Sequence, residues 1–147
     1  MNAYRELKDK QQAEVNAFPM FFAFSQQQFD EGMKKLGLEP TDTDKIYKLG
    51  NTGGFYRKSD SEALHAMFER HEQEMKDAIA ADKTGDGFIF DMFDYELANH
   101  EYGYTRDMTD ALEALGLTLE DINADQRLVH GLQKAHEAQI EWYNKHN

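Results

Sequence analysis

The run of acids and glycines from Asp82 to Ile89 comes closest to a known chemical pattern. Asp82, Thr84 and Asp86 place side-chain oxygens at the first, third and fifth positions of a calcium-binding loop, and a glycine and an apolar residue follow where the loop requires them. The twelfth position needs a bidentate Glu and is occupied by Phe93. We interpret the run as a corner between two helices, whose glycines permit the bend. A cation site is the alternative.

Six histidines raise the question of a metal site. Glu62 and His65 have the i, i+3 spacing of carboxylate-bridged di-iron bundles, and Glu96 and His100 lie four residues apart. A di-iron bundle needs two Glu-x-x-His units, whereas this chain has one. We therefore predict no metal, no cofactor and no catalytic residue. The alternative is a metal-dependent or hydrolytic enzyme that uses His65, His100 and nearby carboxylates.

An acidic stripe is the remaining candidate for function. No Lys or Arg occurs from Thr84 to Thr105, although this stretch is rich in aromatic residues and acids. A helix that begins near residue 89 would carry acids beside its apolar face, spaced like the phosphates of a nucleic acid duplex. The predicted partner-binding residues are Asp91, Asp94, Glu96 and Glu101. The alternative is an ordinary solvated helical face.

Hydrophobic periodicity predicts the elements that would position these side chains. Helices are expected over 3–16, from Ser25 to Gly37, over 60–81, from about residue 89, in a short segment ending at Gly116, and from Thr118 to about residue 144. Residues 45–58 predict a β-hairpin with a loop of Gly and Asn. The aromatic run 18–24 fits a buried strand or connector, or an oligomer contact. We predict an α+β, helix-dominated single domain over 1–147, with five or six helices and one small β-hairpin.

Composition limits the classes of partner. The 147 residues include 16 Lys and Arg against 28 Asp and Glu, which gives a formal charge of −12. This charge repels nucleic acid and anionic lipid and favours a basic protein. The chain has no cysteine, no Gly-x-Ser-x-Gly nucleophile motif and no run of about 20 apolar residues. A cytoplasmic, non-enzymatic protein that does not bind a membrane is therefore expected.

Three stretches carry a resemblance to a known family: NAFPMFFAFSQQQF, KIYKLGNTGGFYRK and GFIFDMFDYELANHEYGYT. They resemble an uncharacterised family of small acidic proteins encoded by gut Firmicutes, their phages and their mobile elements, nearly from end to end. No activity or functional residue can be carried over. The resemblance implies a setting in which small acidic proteins counter host defences, anti-CRISPR proteins and nucleic-acid mimics among them.

The composition and the resemblance together predict a function. We expect a non-enzymatic acidic binding protein, a phage or mobile-element inhibitor of the anti-CRISPR type. Its partner would be a basic nucleic-acid-binding effector nuclease, and the chain itself would bind no nucleic acid directly.

Overall fold

The computed structural model describes all residues from 1 to 147 and contains eight α-helices and three β-strands. The elements in chain order are α1 (Ala3–Ala17), β1 (Met20–Phe22), α2 (Gln26–Lys35), β2 (Ile46–Leu49), β3 (Gly54–Arg57), α3 (Ser61–Ala81), α4 (Phe88–Asn99), α5 (Tyr102–Thr105), α6 (Thr109–Leu115), α7 (Leu119–Asn123) and α8 (Gln126–His146). The predicted helix-dominated α+β class is confirmed. None of the eight helices is both long enough and apolar enough to cross a membrane.

The chain divides into two compact units. We call residues 12–72 the sheet unit, and residues 1–11 with 73–147 the helical unit. Each unit has its own cluster of buried apolar side chains. The division falls inside α1 and α3, so no linker in the sequence marks it. The expectation of a single domain over 1–147 stays a prediction.

The sheet unit contains the predicted hairpin and one further strand. β2 and β3 pair antiparallel, and β1 pairs with the other edge of β3 to give the order β1-β3-β2. The aromatic run therefore includes a strand, and strand alternation buries Phe21 while Phe22 stays 50% exposed. Gly32 of α2 lies against the Phe21 ring, where a Cβ would be 2.1 Å from Cδ1.

The predicted last helix is in fact two helices. The Thr118 hydroxyl accepts from the Asp121 N–H, and the Asp121 carboxylate accepts in return from the Thr118 N–H, which makes a capping box at the start of α7. Asp125 then accepts from the Arg127 N–H and begins α8. Apolar spacing alone does not reveal the break, because it continues through residues 124 and 125, where the cap at Asp125 starts a new helix.

The helical unit is built around the contact of α4 with α8. Ile89, Met92, Phe93 and Leu97 of α4 are buried. Gly131 allows α8 to approach them, since a Cβ there would lie 2.5 Å from Ile89 Cγ2. The packing of α4 on α8 therefore requires a residue without a side chain at position 131.

Candidate functional site

The four predicted partner-binding acids do not share one exposed face. Asp91 is half-buried, and its Oδ2 accepts a hydrogen bond of 2.9 Å from the Ala3 N–H at the start of α1. Its backbone carbonyl accepts from the Asn2 side-chain amide, also at 2.9 Å. Asp91 therefore holds the N-terminal helix in place, at the end where the helix dipole favours an anion.

Glu96 lies in the core of the helical unit, with only 1% of its surface exposed. The Tyr4 hydroxyl donates to Glu96 Oε2 at 2.8 Å, and Lys8 Nζ lies 3.5 Å from the same oxygen. The other oxygen, Oε1, is buried without a hydrogen-bond partner. Burial, and then the hydrogen bond to Glu96, raise the pKa of Tyr4, so this phenol stays protonated and can donate.

The placement of Glu96 on a solvent-facing acidic stripe is thus corrected. Its spacing along α4 is compatible with a surface position, but Tyr4 of α1 covers it. A buried carboxylate cannot meet a partner without unfolding its surroundings.

Asp94 lies in the middle of α4, against α8, and Glu101 lies between α4 and α5. Asp94 is half-buried, and its Oδ1 accepts a hydrogen bond of 2.8 Å from Gln139 Nε2 of α8. Glu101 is exposed and takes the left-handed backbone conformation, with φ 54° and ψ 37°, between α4 and α5. Of the four acids, Glu101 is the one whose side chain is available to a partner.

Glu101 borders a cavity of the helical unit with a volume of about 620 Å³, which we call the aromatic cavity. Three aromatic residues, Tyr104, Trp142 and Tyr143, line it together with Ala98 and Gln139. Tyr104 is 75% exposed and Trp142 is 57% exposed. A carboxylate beside exposed aromatic rings can bind a cation through charge and through the ring faces.

The short helix α5 creates this arrangement. Tyr102 points inward, where its hydroxyl lies 2.6 Å from His136 Nδ1. Gly103 lies directly on α8, because a Cβ there would be 3.0 Å from Tyr143 Cβ and 3.3 Å from the Gln139 carbonyl oxygen. The next side chain, Tyr104, then projects outward, with its ring 6.4 Å from that of Tyr143.

A guanidinium and an imidazole ring already contact two of the aromatic residues. The Arg106 guanidinium lies 5.7 Å from the Tyr143 ring centroid, and its Nε donates to the Gly103 carbonyl. The His146 ring stacks on Trp142 at 4.2 Å, with an interplanar angle of 16°. The rings of this site are thus oriented so that planar cationic groups can approach them.

Two neighbouring residues of α8 differ from what helical spacing indicates. The apolar spacing of α8 predicts Trp142 on its buried face, yet more than half of the surface of Trp142 is exposed. Its neighbour Tyr143 faces Gly103 instead. Residues 98–104 and 139–147 are about forty positions apart, and no spacing rule within one helix brings them together.

The Asp82 loop serves the fold. The Asp82 carboxylate accepts hydrogen bonds from the backbone N–H groups of four loop residues, Thr84, Gly85, Gly87 and Ile89, at 2.9 to 3.2 Å. Burial alone would raise the pKa of Asp82, but these hydrogen bonds outweigh it and hold the pKa below its ordinary value. The corner between two helices is therefore the arrangement observed.

The loop also docks on α8. The Arg127 guanidinium donates to the carbonyls of Ile79 and Asp82, and a Cβ at Gly85 would lie 2.3 Å from the Arg127 carbonyl oxygen. Asp86 accepts from Lys134 at 2.7 Å and lies 2.8 Å from His130 Nε2, and these two contacts lower its pKa. A cation would have to displace these bonds to use either carboxylate.

The histidines of the alternative enzyme lie in different units. His65 Nδ1 is 2.8 Å from the Ser61 carbonyl, and His100 Nδ1 is 2.8 Å from the Glu96 carbonyl. Each ring thus contacts the backbone of its own helix, one turn earlier. This geometry gives no support to a catalytic pair, and the enzymatic alternative stays untested.

His71, in the sheet unit, is a buried histidine with an acidic neighbour. Its Nε2 lies 3.5 Å from Glu14 Oε2, and Arg70 binds the same carboxylate. The hydrogen bond from Arg70 lowers the pKa of Glu14. Glu14 and Arg70 thus form an ion pair beside this buried histidine.

One comparison with known proteins identifies a family. The chain belongs to DUF7659, a family of unknown function. The match covers residues 3–138, and therefore includes the whole sheet unit and most of the helical unit. Of the aromatic cavity it includes the α4–α5 side, from Ala98 to Tyr104, whereas Trp142 and Tyr143 lie beyond it. Comparisons with curated proteins and with solved structures found no match. Family membership thus carries no activity to this DUF7659 chain.

Proposed function

We propose that this protein is a non-enzymatic acidic binding protein whose helical unit docks on a basic, nucleic-acid-handling partner. The observation that carries the proposal is the exposed Glu101 carboxylate on the border of the aromatic cavity. Of the predicted acids it alone is both exposed and placed beside groups that bind cations. The other three contribute charge or structure from within the unit.

The surrounding charge supports the same proposal. The helical unit contains eighteen Asp and Glu against nine Lys and Arg, whereas the sheet unit contains ten against seven. Exposed acids such as Asp110, Glu113 and Glu120 follow on α6 and α7. A field of this sign accelerates the encounter with a basic protein and weakens as salt rises.

The proposed partner class is a basic nucleic-acid-binding effector nuclease. Such a protein binds nucleic acid through a groove lined with Lys and Arg, and an acidic surface competes for the same groups. The family resemblance supports a phage or mobile-element inhibitor of the anti-CRISPR type, because small acidic proteins of that setting often counter host nucleases.

A nuclease assay tests the proposal. The purified protein is titrated into Cas9 cleavage reactions, and its binding to Cas9 is measured at about 0.05 M and about 0.5 M salt. We expect slower cleavage and binding that is lost at the higher salt. Glu101→Gln should weaken binding, whereas Glu39→Gln, which removes one exposed acid of the sheet unit, should not.

Two results would contradict it. A histone serves as a second basic protein in the binding measurement. If the protein binds neither Cas9 nor the histone at low salt, the proposed acidic binding function is ruled out. Binding of Cas9 without any effect on cleavage rules out the inhibitor.

A further inference from the structure

The aromatic cavity suggests which chemical group of a partner the protein recognises. We infer that the cavity binds an arginine side chain of the basic partner, with the guanidinium against the aromatic rings and paired with Glu101. This inference rests on the proposed function and specifies its point of contact. Lysine and neutral side chains are the competing ligands, and the peptide titration distinguishes them from arginine.

The walls of the cavity favour a planar cation. Tyr104 and Trp142 expose most of their surfaces there although both are large apolar groups, and a cavity of about 620 Å³ is larger than one arginine side chain needs. Arg106 shows within the same unit that a guanidinium is accepted against Tyr143, at 5.7 Å from the ring centroid. A guanidinium stacks on aromatic rings more readily than an ammonium does, since it is planar and more weakly hydrated.

Glu101 supplies the opposite charge at a costly backbone position. It is one of only two non-glycine residues with positive φ in the chain, and the other is Arg106 at the far end of α5. Side chains other than Gly adopt this conformation at a cost, and such sites cluster where a ligand is held. The strained position together with the exposed aromatic cavity supports a recognition site, since a glycine at residue 101 would meet the backbone requirement at less cost.

Trp142 allows the cavity to be observed directly, because it is the only tryptophan of the chain. A Gly/Ser peptide with blocked ends, whose one arginine is its only charged group, is titrated against the full-length protein while Trp142 emission is recorded. The matched peptide carries citrulline, which has the shape of arginine without its charge. We expect a saturable change with the arginine peptide and about tenfold weaker binding of the citrulline peptide. A lysine peptide should bind between the two.

Variants separate the contributions of charge and ring. Glu101→Gln should weaken binding of the arginine peptide about fivefold to tenfold, whereas Glu113→Gln, an exposed acid of the same unit outside the cavity, should leave it unchanged. Tyr104→Phe should retain binding of the arginine peptide. Tyr104→Leu should weaken it severalfold, because leucine keeps an apolar side chain but lacks the π system. Circular dichroism checks that each variant is folded.

The outcomes of the peptide and nuclease experiments are distinguishable. Equal binding of the arginine and citrulline peptides, or no change in Trp142 emission, overturns the arginine pocket. If Cas9 binding nevertheless persists at low salt, the acidic binding function stands without this pocket. If the arginine peptide binds as expected but no basic protein does, the pocket stands and the proposed function fails.

Discussion

The helical unit and the sheet unit bury different kinds of side chain. The sheet unit buries a histidine, His71, in addition to an apolar cluster of Phe21, Met33, Leu36 and Ile46. The helical unit buries a carboxylate, Glu96, among its apolar residues, and forms a loop around a second, Asp82. In the helical unit some acidic residues are therefore part of the fold.

This difference changes what the net charge means. Asp121 and Asp125 begin helices, and Asp107 accepts from both the backbone and the hydroxyl of Thr109. These acids accept hydrogen bonds from N–H groups at helix ends and turns, which would otherwise lack an acceptor within the protein. The exposed acids whose side chains make no capping hydrogen bond, with Glu101 foremost, remain available for the recognition that we propose.

The largest expected effect comes from the buried carboxylate. Glu96→Ala should lower the free energy of unfolding by about 3 kcal/mol, because it leaves the Tyr4 hydroxyl without its acceptor and creates a cavity. Urea denaturation measures the change. The double variant Tyr4→Phe/Glu96→Leu removes both polar groups together and should recover at least half of that loss. A double variant less stable than the alanine variant would contradict a structural role for this pair.

Two glycines within helices provide a test in each unit. Gly32→Ala and Gly131→Ala should each destabilise by about 2 kcal/mol, since the new Cβ would meet Phe21 or Ile89 at well under 3 Å. Helix propensity alone predicts the opposite, a gain of about 1 kcal/mol. For Gly32→Ala, amide hydrogen exchange should become faster first within residues 12–72, the unit that contains the substitution. Stabilisation by either variant would show that the helices need not approach so closely.

The Asp82 loop predicts a dependence on pH. Because the pKa of Asp82 is lowered in the folded state, its contribution to stability is present at neutral pH and is lost as pH falls below about 4. Asp82→Asn should cost about 1 to 2 kcal/mol at pH 7, because an amide presents only one acceptor oxygen to four N–H groups.

The wild type and this variant should converge in stability as the pH falls through that range. Parallel stability curves for the two proteins between pH 3 and pH 7 would contradict the account of the loop. Calorimetric titration of the wild type with calcium provides the control, and no heat of binding is expected.

The smallest expected change in stability comes from substituting glycine at Glu101 or Arg106, the two non-glycine residues with positive φ. Glu101→Gly should raise the free energy of unfolding by about 0.5 to 1 kcal/mol, since it relieves the left-handed strain and removes only an exposed side chain. Arg106→Gly should gain less or nothing, because it also removes the contact with Tyr143 and the hydrogen bond to Gly103. Thermal unfolding compares the two. An equal gain in both would show that the Arg106 contacts contribute nothing.

The sequence predicted the parts of the fold that local chemistry determines. Gly37 and Gly116 end their helices in the left-handed conformation, and the hairpin occupies its predicted residues. The partners that α4 meets could not be predicted in this way. Asp91, Asp94 and Glu96 repeat along one helix, but whether each is exposed depends on α1 and α8, which are distant in sequence. The aromatic cavity was missed for the same reason.

The central claim is that the helical unit recognises basic groups at the aromatic cavity bordered by Glu101. It is tested most directly by a ¹H–¹⁵N shift map of the uniformly labelled protein, titrated with an arginine-rich peptide at low salt. We predict that the shifts concentrate in 98–106 and 139–147, and that Glu101→Gln needs about fivefold to tenfold more peptide to reach the same shifts. Shifts that fall mainly in the sheet unit, or that spread evenly over every acidic residue, would contradict it.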